Sequence, residues 1–88
     1  MKDEKYGLIA FPGTTESLKA EKLLKQQGYS VSFRPLPSVI TADCGFGLEI
    51  SLEKIREIRE FIEQSPVQTA GFYHIIIKDG EKIITSLE

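Results

Sequence analysis

Apolar and polar positions change their period several times along this chain, and each change marks an element. Residues 6–11 read Tyr-Gly-Leu-Ile-Ala-Phe, a continuous run ended by Pro12-Gly13, as expected of a central strand covered on both faces. Thr14 follows at an N-cap position with Glu16 in the first turn, and helix formers continue from Ser17 to Gln27 before Gly28. Ser17, Ala20, Leu23, Leu24 and Gln27 share one side of a 3.6-residue wheel, with Leu18 off that stripe. From Ser30 the period becomes two, with Val31 and Phe33 on one side and Ser32 and Arg34 on the other, until Pro35 and Pro37 withdraw backbone donors. Residues 36–43 have no helical period and read as a connecting loop leading to Cys44-Gly45.

Phe46, Leu48 and Ile50 alternate with Gly47 and Glu49 as a third strand, which a hairpin joins to the second. Ser51 is then placed to cap a second helix, in which Leu52, Ile55, Ile58 and Ile62 recur at helical spacing until Pro66. Residues 72–77 are β-branched and aromatic, Asp79-Gly80 is a turn signal, and residues 82–86 pair back as a short edge strand.

This order predicts an α+β fold, a ferredoxin-like βαββαβ sandwich with a short extra C-terminal strand. With right-handed crossovers, the end of the first strand, the start of the first helix, the end of the second strand and the start of the third share one sheet edge. Cys44 is therefore expected near Gly13, Thr14 and Thr15. Both helices are expected on one sheet face. The other face is left apolar and open, with His74 on it, and that exposure favours a homodimer.

Composition narrows the function classes. Eighty-eight residues, 41% hydrophobic and 27% charged, suit a single domain over 1–88 and exclude a two-domain enzyme. Eleven Lys and Arg against thirteen Asp and Glu give a net charge of −2, so bulk attraction to nucleic acid or anionic lipid is not implied. No apolar run approaches the roughly 20 residues of a membrane span, and the opening Met-Lys-Asp-Glu-Lys lacks the apolar stretch of a signal peptide. The expected compartment is the cytoplasm. One cysteine and one histidine cannot form an internal disulfide or a four-ligand zinc site. Nothing matches a glycine-rich nucleotide loop, a carboxylate pair or a CxxC motif, so no metal and no cofactor are expected.

Cys44 remains as the candidate for chemistry. A thiol becomes nucleophilic as thiolate, and helix N-termini or nearby cations bring its pKa from about 8.5 to between roughly 3.5 and 7.5. The first helix offers free N–H groups from Thr14 onward, Arg34 ends the second strand, and Gly45 and Gly47 leave the approach open. Gly13-Thr14-Thr15 could also bind a small anion, although a helix start alone is a weak signal. Against this stands the plainer alternative that a lone cysteine at a loop-to-strand junction is more often just a small residue. His74, inside an isoleucine-rich strand, reads as structural and Asp43 as turn-forming. The second helix reads as a solvated face with Arg56–Glu60 and Arg59–Glu63 pairs.

The segments Phe11-Pro12-Gly13-Thr14-Thr15, Ala20-Glu21-Lys22-Leu23-Leu24-Lys25 with Gly28, Arg34-Pro35-Leu36-Pro37 and Cys44-Gly45-Phe46-Gly47-Leu48 together resemble the selenium/sulfur (Se/S) carrier protein-like family over nearly the whole chain. Its members are small bacterial proteins named for a cysteine followed by glycine and for their occurrence with selenium or sulfur metabolism proteins. Cys44 and Gly45 stand at those positions, preceded here by Thr41-Ala42-Asp43 where the family usually carries small residues.

The resemblance implies that Cys44 accepts sulfur or selenium as a persulfide or selenopersulfide. The donor would be a protein such as a cysteine desulfurase, and the cargo would pass to an acceptor protein. Arg34 and the Gly13, Thr14 and Thr15 region would stabilise the anionic sulfur, and Gly45 and Gly47 would give steric room. Such a chain is a carrier or accessory protein rather than a stand-alone enzyme. Two other classes stay open: a non-catalytic dimeric module binding metabolites or proteins, in which Cys44 is incidental, and a sensor in which two Cys44 thiols meet across a dimer.

Overall fold

The computed structural model describes residues 3–40 and 45–87. Five strands and two helices follow one another as β1 (Glu4–Ala10), α1 (Thr14–Gln26), β2 (Ser32–Pro35), β3 (Phe46–Ile50), α2 (Ile55–Glu63), β4 (Gly71–Lys78) and β5 (Glu81–Leu87). A short 3-10 turn over Leu52–Lys54 leads into α2. The fold is α+β, with one five-stranded sheet in the order β2-β3-β1-β4-β5 and every neighbouring pair antiparallel. β1 and β2 both run antiparallel to β3, so they are parallel to each other, and α1 makes the crossover between them.

The continuous apolar run around β1 has the expected cause. This strand is paired on both edges, with β3 (Ile9 opposite Leu48) and with β4 (Ile9 opposite Phe72), and it is buried on both faces. Ile9 packs in a core with Ala20 and Leu24 of α1, Ile58 and Ile62 of α2, and Leu48, Ile50 and Phe72. Leu8, Tyr6 and Ala10 face the other way, into a second core with Ile75 and Ile40. Both helices therefore cover one sheet face.

The other face is not left open as expected. Leu36 and Ile40, from the segment read as a plain connecting loop, pack over it. Backbone bonds hold that segment down: the Leu36 N–H donates to the Gly45 carbonyl at 3.1 Å and the Ile40 N–H to Pro37 at 2.9 Å. The ladder between β2 and β3 consequently continues past Pro35, where the sequence predicts fraying. His74 also lies elsewhere than expected. It is in phase with Phe72 on β4 and borders a cleft with Ile55 and Arg59, on the helix side of the sheet.

Local signals explain most element ends. Thr14 is the first residue of α1 rather than its cap. Gly13 holds the cap position in extended conformation without a side-chain cap bond. At the other end, Tyr29 N–H reaches the Leu24 carbonyl and Gly28 N–H that of Lys25, both at 3.0 Å, the paired bonds of a Schellman stop. Ser51 stands at the N-cap position of the 3-10 turn without a side-chain cap bond, and α2 starts one turn later than its apolar spacing indicates. Asp79 (φ 50°) and Gly80 (φ 81°) form the two-residue turn that their sequence announces. β5 runs for seven residues, longer than the short edge strand expected. Of the two ion pairs expected on α2, Arg59–Glu63 is present at 3.4 Å, while Arg56 forms no ion pair among the described residues.

Gly47 is fixed by close approach. A β-carbon there would lie 2.7 Å from the Ile9 carbonyl oxygen and 2.9 Å from Leu36 Cδ2. Gly47→Ala should therefore lower stability by about 1–3 kcal/mol, as overpacking does, read from the urea midpoint at unchanged slope; an unshifted midpoint would mean that β1 and β3 tolerate the spread.

A second expectation concerns Glu16. Its carboxylate accepts from the Gln68 backbone N–H at 2.8 Å and pairs with Lys19, and the Gln68 bond foremost holds its pKa below the ordinary value. A lowered folded-state pKa gives stability that is present above the unfolded pKa and is lost as pH falls through the folded one. Wild type should therefore exceed Glu16→Gln in stability at neutral pH, and the gap should narrow progressively as pH falls below the ordinary glutamate pKa. A gap independent of pH would show that the charge takes no part.

Candidate functional site

The backbone brings the predicted site segments to one end of the sheet. Pro35 at the end of β2 lies opposite Phe46 at the start of β3. Thr14 and Ser17 of α1 line a shallow hollow of about 260 Å³ with Leu18, Phe33 and Phe46. Gly45 thus enters β3 beside the start of α1. Cys44, the residue before it, and Asp43 lie outside the described residues.

Gly45 is exposed at φ 75° with open space where a side chain would stand. The glycine after the cysteine position is thus explained by backbone geometry, because other residues are strained at that angle. Gly47 is different. It is buried and capped by Leu36, so the space above it belongs to the loop anchor.

Gly13, Thr14 and Thr15 form the start of α1 with no side-chain cap bond, which leaves backbone N–H groups for another acceptor. Ser17 turns its hydroxyl back to the Thr14 carbonyl at 2.7 Å. The positive helix end here has Glu16 within its first turn, so its field is partly offset by a carboxylate.

Arg34 is committed elsewhere. Its Nε donates to Glu49, its Nη2 reaches Glu4 at 3.5 Å, and the guanidinium lies 4.3 Å from the centre of the Tyr6 ring. The Glu49 hydrogen bond raises its pKa still further above the ordinary value, so it is charged at any working pH. These partners sit on the sheet face away from the helices and toward the start of β1. Of the candidate residues, Thr14 shares the hollow with Phe46, the neighbour of Gly45, while the Arg34 guanidinium reaches toward the opposite end of β1.

Sequence reading missed the apolar rim of this end. Leu18 (53% exposed), Phe33 (38%) and Phe46 (50%) are large side chains open to solvent, and together they border the hollow. The available signal was Leu18, which falls off the buried stripe of α1. Among the described residues no charged side chain lines this hollow. The larger cleft, about 690 Å³, lies at the far end of the sheet between Lys5, Ser32, Glu49 and Ser51. Among the described residues no group of three or more His, Cys, Asp or Glu side chains is placed to hold a metal ion, and no helix is long and apolar enough to cross a membrane.

Comparison with known proteins returns no match among curated proteins and none among solved structures. A family model does match, over residues 6–74. That span runs from β1 into β4 and takes in the helix start, the hollow and the Cys44-Gly45 pair. With more than half of its residues inside the match, the chain belongs to the family described as "Putative Se/S carrier protein-like".

Proposed function

We propose that this protein carries sulfur or selenium on the thiol of Cys44 and delivers it to a partner enzyme. Membership of the Se/S carrier-like family, through a match that includes Cys44 and Gly45, carries the reading. In the loading step the Cys44 thiolate attacks the outer sulfur of a donor persulfide, such as that on a cysteine desulfurase. The donor S–S bond breaks, the donor thiolate leaves, and Cys44 becomes a persulfide. In delivery an acceptor nucleophile attacks that outer sulfur and the Cys44 thiolate leaves. Neither step needs an external oxidant or reductant, which suits an accessory protein of this size. The selenium version differs only in the transferred atom.

The surroundings support this assignment. Gly45 keeps the following position free of side chain, the N–H groups of Thr14 and Thr15 after the Gly13 cap offer donors to an anionic sulfur, and Leu18, Phe33 and Phe46 give partners an apolar landing. Arg34 acts in this reading through its fixed positive charge and by tying β2 to β3, and Gly47 by seating Leu36 and the loop behind it. The first four strands, in the order β2-β3-β1-β4 with β1 and β2 parallel, support a ferredoxin-like core extended by β5. The protein works in the cytoplasm without nucleic acid; the open apolar face that favoured a homodimer is covered by Leu36 and Ile40. A second reading, a metabolite-binding module, is favoured by the cleft of about 690 Å³ at the far end of the sheet and makes Cys44 dispensable.

Incubation with a cysteine desulfurase and labelled cysteine separates the two. Wild type should gain one sulfur by intact mass and show an alkylation pKa below about 8.5, and Cys44→Ser should lose all label. Label retained on Cys44→Ser, or an unlabelled wild type with an ordinary thiol, would leave the binding module as the account.

A further inference from the structure

Away from the hollow, α2 and the β4–β5 hairpin enclose a cleft of about 330 Å³. Leu52, Ile55 and Leu87 form its apolar walls, and Arg56, Arg59, His74 and Ser86 complete its lining. Three features of these groups point the same way. Arg56 has no ion pair among the described residues, although Glu60 stands one turn further along α2. Arg59 lies over the Phe72 ring at 5.6 Å and uses its Nε on Glu63, which fixes the fork and leaves its terminal N–H groups without a partner among the described residues. The His74 Nε2 atom is buried and has no hydrogen-bond partner there either, an arrangement that native proteins rarely leave unanswered.

Two arginines lining one small cleft, with an unanswered imidazole nitrogen in its wall, suit the oxygens of an anion. The volume is at the low end for ligand pockets, which selects a compact molecule. We propose that this cleft binds a small oxyanion, a phosphate, sulfate or short carboxylate, through Arg56, Arg59 and His74. The site is separate from Cys44 and stands whether or not the carrier reading holds. Its oxygens can come from an inorganic anion or from a carboxylic acid, and the walls of Leu52, Ile55 and Leu87 leave room for a few carbon atoms behind a carboxylate.

The test is an NMR titration of the full chain with phosphate, sulfate and propionate in separate arms at constant ionic strength. It follows the His74 ring and the arginine Nε–H signals. At least one arm should saturate with shifts centred on Arg56, Arg59 and His74, and the arm that saturates at lowest concentration identifies the source. Arg56→Gln should weaken that binding about tenfold or more, the scale of one charge-assisted hydrogen bond, and His74→Gln should do likewise. Arg56 is exposed on α2, so its variant tests the site even if the His74 variant folds poorly. Shifts that never saturate, or equal affinity in wild type and Arg56→Gln, would mean an adventitious ion only and overturn the site.

Discussion

Everything in this fold depends on β1 being surrounded. It lies at the centre of the sheet with a partner on each edge and a hydrophobic layer over each face, so its residues contribute to two cores at once. Ile9 belongs to the helix layer, and Leu8, Tyr6 and Ala10 belong to the layer beneath Ile40. Burial on this scale is what a small domain has available, since short chains bury a smaller share of their surface than long ones. Two covers of unequal kind do the work: a pair of helices on one side, and a few loop residues on the other. The candidate groups lie at one end of the sheet, where the chain leaves β1, starts α1 and enters β3.

How far this was legible in the sequence depended on period. Strands and helices with a clean repeat, such as Phe46–Ile50 and Ile55–Glu63, appear close to where their spacing puts them. The layer formed by Leu36 and Ile40 was not legible, because prolines erased any period in that stretch and an aperiodic segment can still bury two side chains. The face of His74 was lost for a different reason. In Phe72-Tyr73-His74-Ile75-Ile76-Ile77 both phases of the strand are apolar, so alternation cannot say which set meets the helices, and only the partner strands decide. Thr14 and Gly13 traded roles because either residue type caps a helix and the two are adjacent.

The candidate site was legible as a neighbourhood rather than as a set of contacts. The topology brought the α1 start beside Gly45, as the order of elements required. What single positions do within it was set by competition that spacing does not report. Arg34 has two carboxylates and a tyrosine ring within reach, and those partners claim its guanidinium before any thiolate could. Gly47 is small because Leu36 and the Ile9 carbonyl occupy the volume above it. The family match over residues 6–74 covers these structural positions as well as the Cys44-Gly45 pair.

The Leu36 N–H bond to the Gly45 carbonyl ties the end of β2 to the entry of β3, and Ile40 anchors residues 36–40 in the lower core. Breaking that bond and withdrawing Ile40 would leave the β1–β4–β5 ladder intact. Residues 36–40 can thus lift from the sheet with a free energy of their own, smaller than that of the whole domain. Amides of Leu36 and Ile40 would then exchange with solvent ahead of those in β1, and a protein partner could uncover the lower face of the sheet without unfolding the domain.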